Sequence, residues 1–465
     1  MVSVPSGVSA GNILRGGLVD RLLDARHDIQ VIVVSPLVKD NTFVREFARP
    51  RVTFENLPPH VPIGVEARLM AIIQACYLES GATESVKIRR EEATSRGTTR
   101  WIRTKHQLAS ILAPSMLRRE TRYALIDRVV AHPWAERLFD RWRPVLLVGS
   151  SPGLIFSEVP LLRTAVRRGV RTIVVDPSWD NFTNKLIPVR CADRLVVWNE
   201  IMKEQAVTLH GYRPEQVRTS GPPHWDRYFQ TSETGTREAF FQRAGLDPAR
   251  RLITITTTPA ALYSHFDHVI RVLLRAVQGD CWGLDAQLLV RLHPRDDLDR
   301  YDEFRGTPHV IIEKPFKATV RAGDGLAVDI TEENSRHLAD TLRYSDVIVT
   351  VASTIGIEAA IFDTPVVDVS FDGETPSEFV RSARRYYRFT HYANVIRHGG
   401  VRVADTPEQL VNYVGLYLQD PSLNRDARRR VVLEQCQFTD GQSRKRIANF
   451  VIEELADVLA TQQPD

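Results

Sequence analysis

The residues best suited by type and spacing to chemistry fall in two short segments of the second half of the chain. In Asp346-Val-Ile-Val-Thr-Val-Ala-Ser353-Thr354-Ile-Gly-Ile-Glu358, a buried-type strand is expected to end at Ala352, where two hydroxyl residues begin a helical pattern. Such a junction leaves free N–H groups and the positive end of the helix dipole beyond the strand's carboxyl end, where phosphate is the natural occupant. Glu358 falls about one turn later and is placed to accept hydrogen bonds from ribose hydroxyls. The alternative is that Ser353 merely caps the helix and Glu358 favours its first turn. In Gln287-Leu-Leu-Val-Arg291-Leu-His293-Pro294-Arg295, an apolar strand delivers a His and a helix-breaking Pro to the same kind of edge. His293 is expected to donate to a phosphate oxygen, to become more basic beside that anion, and to stabilise a leaving phosphate as charge develops. Arg291 or Arg295 would add bidentate contacts. The loop Thr256-Thr257-Thr258-Pro259, after the preceding strand, offers further hydroxyls.

Two series of short apolar runs would position these groups. Val2-Ser-Val-Pro, Ile29-Gln-Val-Ile-Val-Val-Ser, Pro144-Val-Leu-Leu-Val-Gly, Arg171-Thr-Ile-Val-Val-Asp and Arg194-Leu-Val-Val-Trp alternate with helix-compatible stretches. They read as buried strands of one parallel, doubly wound sheet. Arg251-Leu-Ile-Thr-Ile-Thr begins a second series that runs through Gln287-Leu-Leu-Val, His309-Val-Ile-Ile-Glu, Asp346-Val-Ile-Val and Pro365-Val-Val-Asp-Val. The fold class expected is therefore α/β, with two Rossmann-like doubly wound parallel-sheet lobes and a cleft between them. The boundaries expected are a first lobe over 1–228, a second over 250–440, and a C-terminal helix and tail over 441–465.

Composition narrows the class. The 465 residues are 43% apolar and 25% charged, with 25 Gly and 26 Pro scattered along the chain, as in a soluble globular protein of two or three domains. A net charge of +4 gives no reason to expect a nucleic-acid partner. The four cysteines form no C-x-x-C pair, so neither a zinc knuckle nor a disulfide framework is expected. No secretory signal precedes the first strand, and a cytoplasmic protein is expected. No dinucleotide fingerprint, P-loop or H-E-x-x-H motif occurs. Residues 87–143 stand apart, with 14 Lys and Arg against six Asp and Glu interleaved with apolar residues. They read as a basic amphipathic helix pair that lies on the anionic inner face of a membrane or holds an acidic acceptor, the alternative being a solvated helical face.

Three of these segments resemble the GT-B-type glycosyltransferases, in the branch of CDP-glycerol glycerophosphotransferases and related capsule or sialyl transferases. Arg291-Leu-His293-Pro294 looks like that branch's H-P motif. Ser353-Thr354 with Glu358, followed by Thr364-Pro365-Val366, looks like its S-[ST]…E…P-V motif. Ala192-Asp-Arg-Leu-Val-Val-Trp-Asn-Glu, then Gly211 and Ser220-Gly-Pro-Pro-His-Trp-Asp226, resembles the segment that joins the two lobes. The resemblance implies that His293, Ser353 and Thr354 contact the donor's phosphate and Glu358 its ribose. It places the nucleotide on the second lobe and the acceptor on the first, with neither metal nor further cofactor. A CMP- or CDP-linked donor is favoured, with UDP-linked donors open.

A transfer of that kind needs a proton acceptor from the first lobe. In Asp176-Pro-Ser-Trp179-Asp180-Asn181, Asp180 would take the proton and Trp179 would stack on a sugar, the alternative being an ordinary turn. Ser6-Gly-Val-Ser-Ala-Gly11-Asn12 is a second place where backbone amides could approach a substrate, or else a tight turn. The function expected is transfer of a sugar or polyol phosphate from a nucleotide-activated donor to a cell-surface glycan or lipid-linked acceptor. A nucleotide-sugar 2-epimerase and a non-catalytic nucleotide-sugar-binding subunit are the alternatives.

Overall fold

The computed structural model describes residues 1–95, 100–185, 190–230, 235–314 and 332–462. Residues 96–99 of the basic region and 231–234 of the expected connection lie outside these. The chain divides into two compact units, the first holding Met1–Asp226 and Cys436–Asp465, the second the described part of 227–435.

In the first unit, β1 (Val2–Ser3), β2 (Val31–Ser35), β3 (Val52–Asn56), β4 (Leu146–Gly149), β5 (Arg171–Val175), β6 (Arg194–Val197) and β7 (Val217–Thr219) form one sheet. Their order is β3-β2-β1-β4-β5-β6-β7, and every pairing is parallel. Both faces are covered, which is why β2 is apolar at consecutive positions. Val31 and Val33 pack with the helix Leu18–Ala25 and the C-terminal helix Ser443–Gln462, while Ile32 and Val34 pack with the helices Pro133–Trp142 and Val159–Arg167. The C-terminal helix is thus part of this unit. Asp226 holds its start, accepting from the backbone N–H groups of Ser443 and Arg444, each at 2.8 Å. Gly221, at φ +84°, is needed there because a Cβ would come within 2.5 Å of Ser443 Oγ. His224, Trp225 and Trp198 pack ring to ring beside this anchor, with centroids 5.0 to 5.2 Å apart.

The expected helix pair over 87–143 is instead four helices, Glu84–Ser95, Arg100–Met116, Arg119–Val129 and Pro133–Trp142. Charge and apolar periodicity continue across the breaks, and only backbone geometry reveals them. Arg118 and His132, the residues before the last two helices, are non-helical, and Pro133 starts the last of them.

In the second unit, β8 (Arg251–Thr256), β9 (Ala286–Arg291), β10 (Val310–Glu313), β11 (Val347–Thr350), β12 (Val366–Val369) and β13 (Val401–Ala404) are all parallel, in the order β10-β9-β8-β11-β12-β13. Ile253, Ile255, Val347 and Val349 face the helices Phe266–Gln278 and Pro407–Gln419. Leu252 and Leu289 face Phe240 and Phe241 on the other side. β11 ends at Thr350 and not at Ala352, because Ala352 turns the chain at φ +32° before the next helix. Strand order reverses between β1 and β4 in one sheet and between β8 and β11 in the other. Beyond the carboxyl ends of the strands at such a reversal, open α/β sheets bind ligands.

Candidate functional site

At the second unit's reversal, the loop after β8 lies against the turn after β9. Thr257 Oγ1 accepts from the backbone N–H of His293 at 2.9 Å, and the Thr257 N–H donates to the carbonyl of Arg291 at 3.0 Å. Thr350, at the end of β11, donates its hydroxyl to the carbonyl of Thr256 at 3.2 Å. The buried hydroxyls of Thr256 and Thr258 have no hydrogen-bond partner among the described residues.

His293 is held by its own turn. The backbone N–H of Arg295 donates to His293 Nδ1 at 3.0 Å, and Asp296 N–H donates to the His293 carbonyl at 2.8 Å. Asp296 is itself fixed, accepting from Arg300 and from the Tyr301 hydroxyl, each at 2.7 Å. With Nδ1 accepting, Nε2 carries the proton and is the donor. Burial first, and the charge of Arg295 second, lower the His293 pKa to about 4, so the ring is neutral at physiological pH. The gain in basicity expected beside an anion is absent from the protein alone, because desolvation dominates.

Ser353 and Thr354 stand half-buried at the start of the helix Ile355–Ile361, Ser353 Oγ accepting from the Ile355 N–H at 3.3 Å. Glu358 lies beneath them. It accepts from the Tyr228 hydroxyl at 2.8 Å and from the Thr354 side chain, and burial raises its pKa. The carboxyl expected at a ribose is thus inside, tied to a tyrosine 130 residues away. Arg291 is also inside, 4% exposed and bonded to Glu313 at 2.5 Å. Burial would push Glu313 up, but His337 and Arg291 hold it below the usual carboxylate value. Arg291, Glu358 and Thr257 are thus buried, and His293, Ser353 and Thr354 are the expected site residues that remain half-buried at the edge.

In the first unit, Asp180 is ion-paired with Lys185 at 3.0 Å and accepts from the Ser178 hydroxyl. Trp179, expected as a stacking surface, is 7% exposed. Asp176 is buried beside them and accepts from the Ser178 N–H at 3.0 Å, and burial raises its pKa to about 7. The spacing Gly7-Val-Ser9-Ala-Gly11 matches the pattern of a hydrolase nucleophile elbow. Ser9 nonetheless has ordinary helical dihedrals, φ −63° and ψ −39°, without the strain of that turn.

Among the described residues, His60, Glu66 and His132 form a group with metal-ligand atoms, all within 4.8 Å. His60 and Glu66 are 3.1 Å apart, and burial and Arg163 lower the His132 pKa to about 4. However, Arg163 Nη1 lies 3.1 Å from His132 Nε2 and donates to its lone pair. A cation would have to displace a guanidinium held by the Ile126 and Val130 carbonyls and by Asp127. The cluster fits a hydrogen-bonded brace and not a metal centre.

The family described as CDP-glycerol:poly(glycerophosphate) glycerophosphotransferase matches residues 167–453. The lipid-A-disaccharide synthase of Syntrophotalea carbinolica is 24% identical over 248 residues, 51% of this chain and 56% of that protein. This match thus spans little more than half of that relative's length. The Geobacter sulfurreducens protein of the same name is 24% identical over 353 residues, 71% of this chain and 82% of its own. The structure of UDP-GlcNAc 2-epimerase from Neisseria meningitidis bound to UDP-GlcNAc is similar in fold, with TM-score 0.52, 10% identity, and coverage of 97% of this chain and 99% of that one. The family match takes in the His-Pro turn after β9 and the Ser-Thr turn after β11, and the chain belongs to the CDP-glycerol:poly(glycerophosphate) glycerophosphotransferase family.

Proposed function

We propose that this chain transfers a polyol phosphate or sugar from a nucleotide-activated donor, in the first instance a CDP-linked one, to a hydroxyl of a cell-surface glycan or lipid-linked acceptor. The observation that carries the reading is the locked tautomer of His293. A neutral imidazole presenting Nε2–H is a donor for a phosphate oxygen. As the leaving phosphate gains charge, its field raises the affinity of His293 for a second proton, so the stabilisation is larger in the transition state than in the ground state. Ser353 and Thr354 complete the set at the neighbouring strand end.

The experiment is CMP release from CDP-glycerol, with and without a poly(glycerophosphate) acceptor. Release that requires the acceptor supports the transfer. Turnover of a nucleotide sugar with no acceptor, or binding with no turnover, would put the epimerase or the binding-subunit reading in its place.

The acceptor side of the proposal includes an anionic bilayer. Of ten exposed large apolar side chains among the described residues, eight lie within residues 61–129. Leu108, Ile111 and Leu112 share one face of the helix Arg100–Met116, whose other side packs Ala109 and Ala113 on the helix Gly64–Ser80. Ile63 and Ile111 are 77% and 73% exposed. The helix Arg100–Met116 contains no acidic residue, and Arg118 and Arg119 follow the apolar face. An apolar stripe followed by cations is matched to the headgroup boundary of an anionic membrane. No helix among the described residues is long and apolar enough to cross one.

A further inference from the structure

At the first unit's reversal the chain builds a line of hydroxyls that ends on a buried acid. Ser6 Oγ and Ser9 Oγ are 3.0 Å apart, and Ser9 donates to Ser150 Oγ at 2.9 Å. Ser150 donates to Glu158 Oε1, from its hydroxyl at 3.4 Å and from its backbone N–H at 2.8 Å. Ser6 accepts from the Ser9 N–H at 3.2 Å, which leaves its own proton directed along the line and a second lone pair for a ligand. The donors all point one way, from the loop after β1, through the loop after β4, to the carboxyl. All four residues are 4% exposed or less.

The far end is the Glu158 carboxyl, 2% exposed. The groups that act on the carboxyl are the Ser3 and Ser150 hydroxyls and the Ser150 and Ser151 amides, with no charged side chain among them. A buried carboxyl reached by a one-way line of hydroxyls is placed to take up a proton from it.

We infer that Glu158 is the terminal proton acceptor for the attacking hydroxyl, with Ser6, Ser9 and Ser150 as the path. The inference rests on the transferase reading. In the step, the acceptor oxygen bonds to the transferred phosphorus, or to the anomeric carbon of a sugar. The bond from that atom to the nucleotide's phosphate oxygen breaks, and its electron pair stays on the nucleotide. The hydroxyl proton passes to Ser6 as each serine hands its own proton on, and the last reaches the Glu158 carboxylate. Burial sets that acid at about 7, so it is partly ionised at neutral pH.

The test uses the full chain with CDP-glycerol and poly(glycerophosphate), reading CMP release between pH 5 and pH 9. Glu158→Gln keeps an acceptor for the Ser150 N–H but cannot take the proton, and Ser9→Ala cuts the line without touching the acid. Both are expected to lower kcat by about 100-fold with the KM for CDP-glycerol within about twofold. The rise of kcat with pH centred near 7 should vanish in Glu158→Gln, and Ser9→Thr should recover most of the rate. An active parent with unchanged kcat and pH profile in a folded Glu158→Gln overturns the relay alone. A parent that releases no CMP with any acceptor overturns the transferase reading and the relay with it.

Discussion

The backbone N–H of Arg295 donates to His293 Nδ1 across 3.0 Å, and this bond decides which ring nitrogen carries the proton. Ring ¹⁵N shifts of His293 should show protonated Nε2 and bare Nδ1 at pH 7. Glutamine can place an N–H near the Nε2 position, whereas asparagine is too short. His293→Gln should therefore keep more affinity for CDP than His293→Asn, and His293→Ala should lose about 10- to 100-fold. Equal losses in the Gln and Asn variants would remove the donor role of Nε2.

Asp226 offers a carboxylate to two backbone N–H groups at the start of the C-terminal helix. Asp226→Ala leaves one buried and one partly buried amide unpaired, at a cost of roughly 2 kcal/mol. Asp226→Asn retains one acceptor and should lose about half as much. Urea unfolding of the three proteins measures the difference, and an Asn variant as unstable as Ala would contradict the cap.

Asp368, at the end of β12, is fully buried, accepts from the Tyr392 hydroxyl, and is raised by burial to about 8. A folded-state value above the unfolded one, near 4, means that the acid contributes stability below pH 4 and loses it as pH rises to about 8. Asp368→Asn mimics the protonated acid. The drop in unfolding free energy between pH 5 and pH 8 should shrink in the variant, by an amount on the order of a few kcal/mol. An equal drop in both proteins would show that Asp368 is ionised in the fold.

Ile111→Ser with Leu112→Ser removes the centre of the exposed apolar stripe without entering the core. Co-sedimentation with vesicles containing phosphatidylglycerol should fall several-fold in this variant and should weaken with salt for the parent. Binding to neutral phosphatidylcholine vesicles should be weak throughout. Loss of self-association, with lipid binding unchanged, would assign the stripe to a second copy of the chain.

What the sequence made legible follows from how each feature is encoded. Buried parallel strands such as Val31–Ser35 and Arg251–Thr256 show as unbroken apolar runs, because both faces are covered. Three of the four edge strands are different: Val52–Asn56, Val217–Thr219 and Val401–Ala404 are short, with one or more polar residues on an exposed or half-buried face, and they escape such a reading. The two turns carrying His293 and Ser353 were legible because strand, Pro and hydroxyl stand together in the chain. The pairings Glu358 with Tyr228 and Glu158 with the serine line were not, since each joins loops that only the folded backbone brings together. Glu158 is a lone carboxylate in an apolar stretch, and nothing local tells whether it is exposed or paired.

A nucleotide phosphate at His293 is tested by calorimetric titration of the full chain with CDP, UDP, GDP and ADP. A pyrimidine nucleotide should bind, CDP in preference, and binding should weaken at least about 10-fold in His293→Ala while the melting temperature of the unliganded variant stays near that of the parent. Binding of none of the four nucleotides, or equal binding to the parent and His293→Ala, would contradict it.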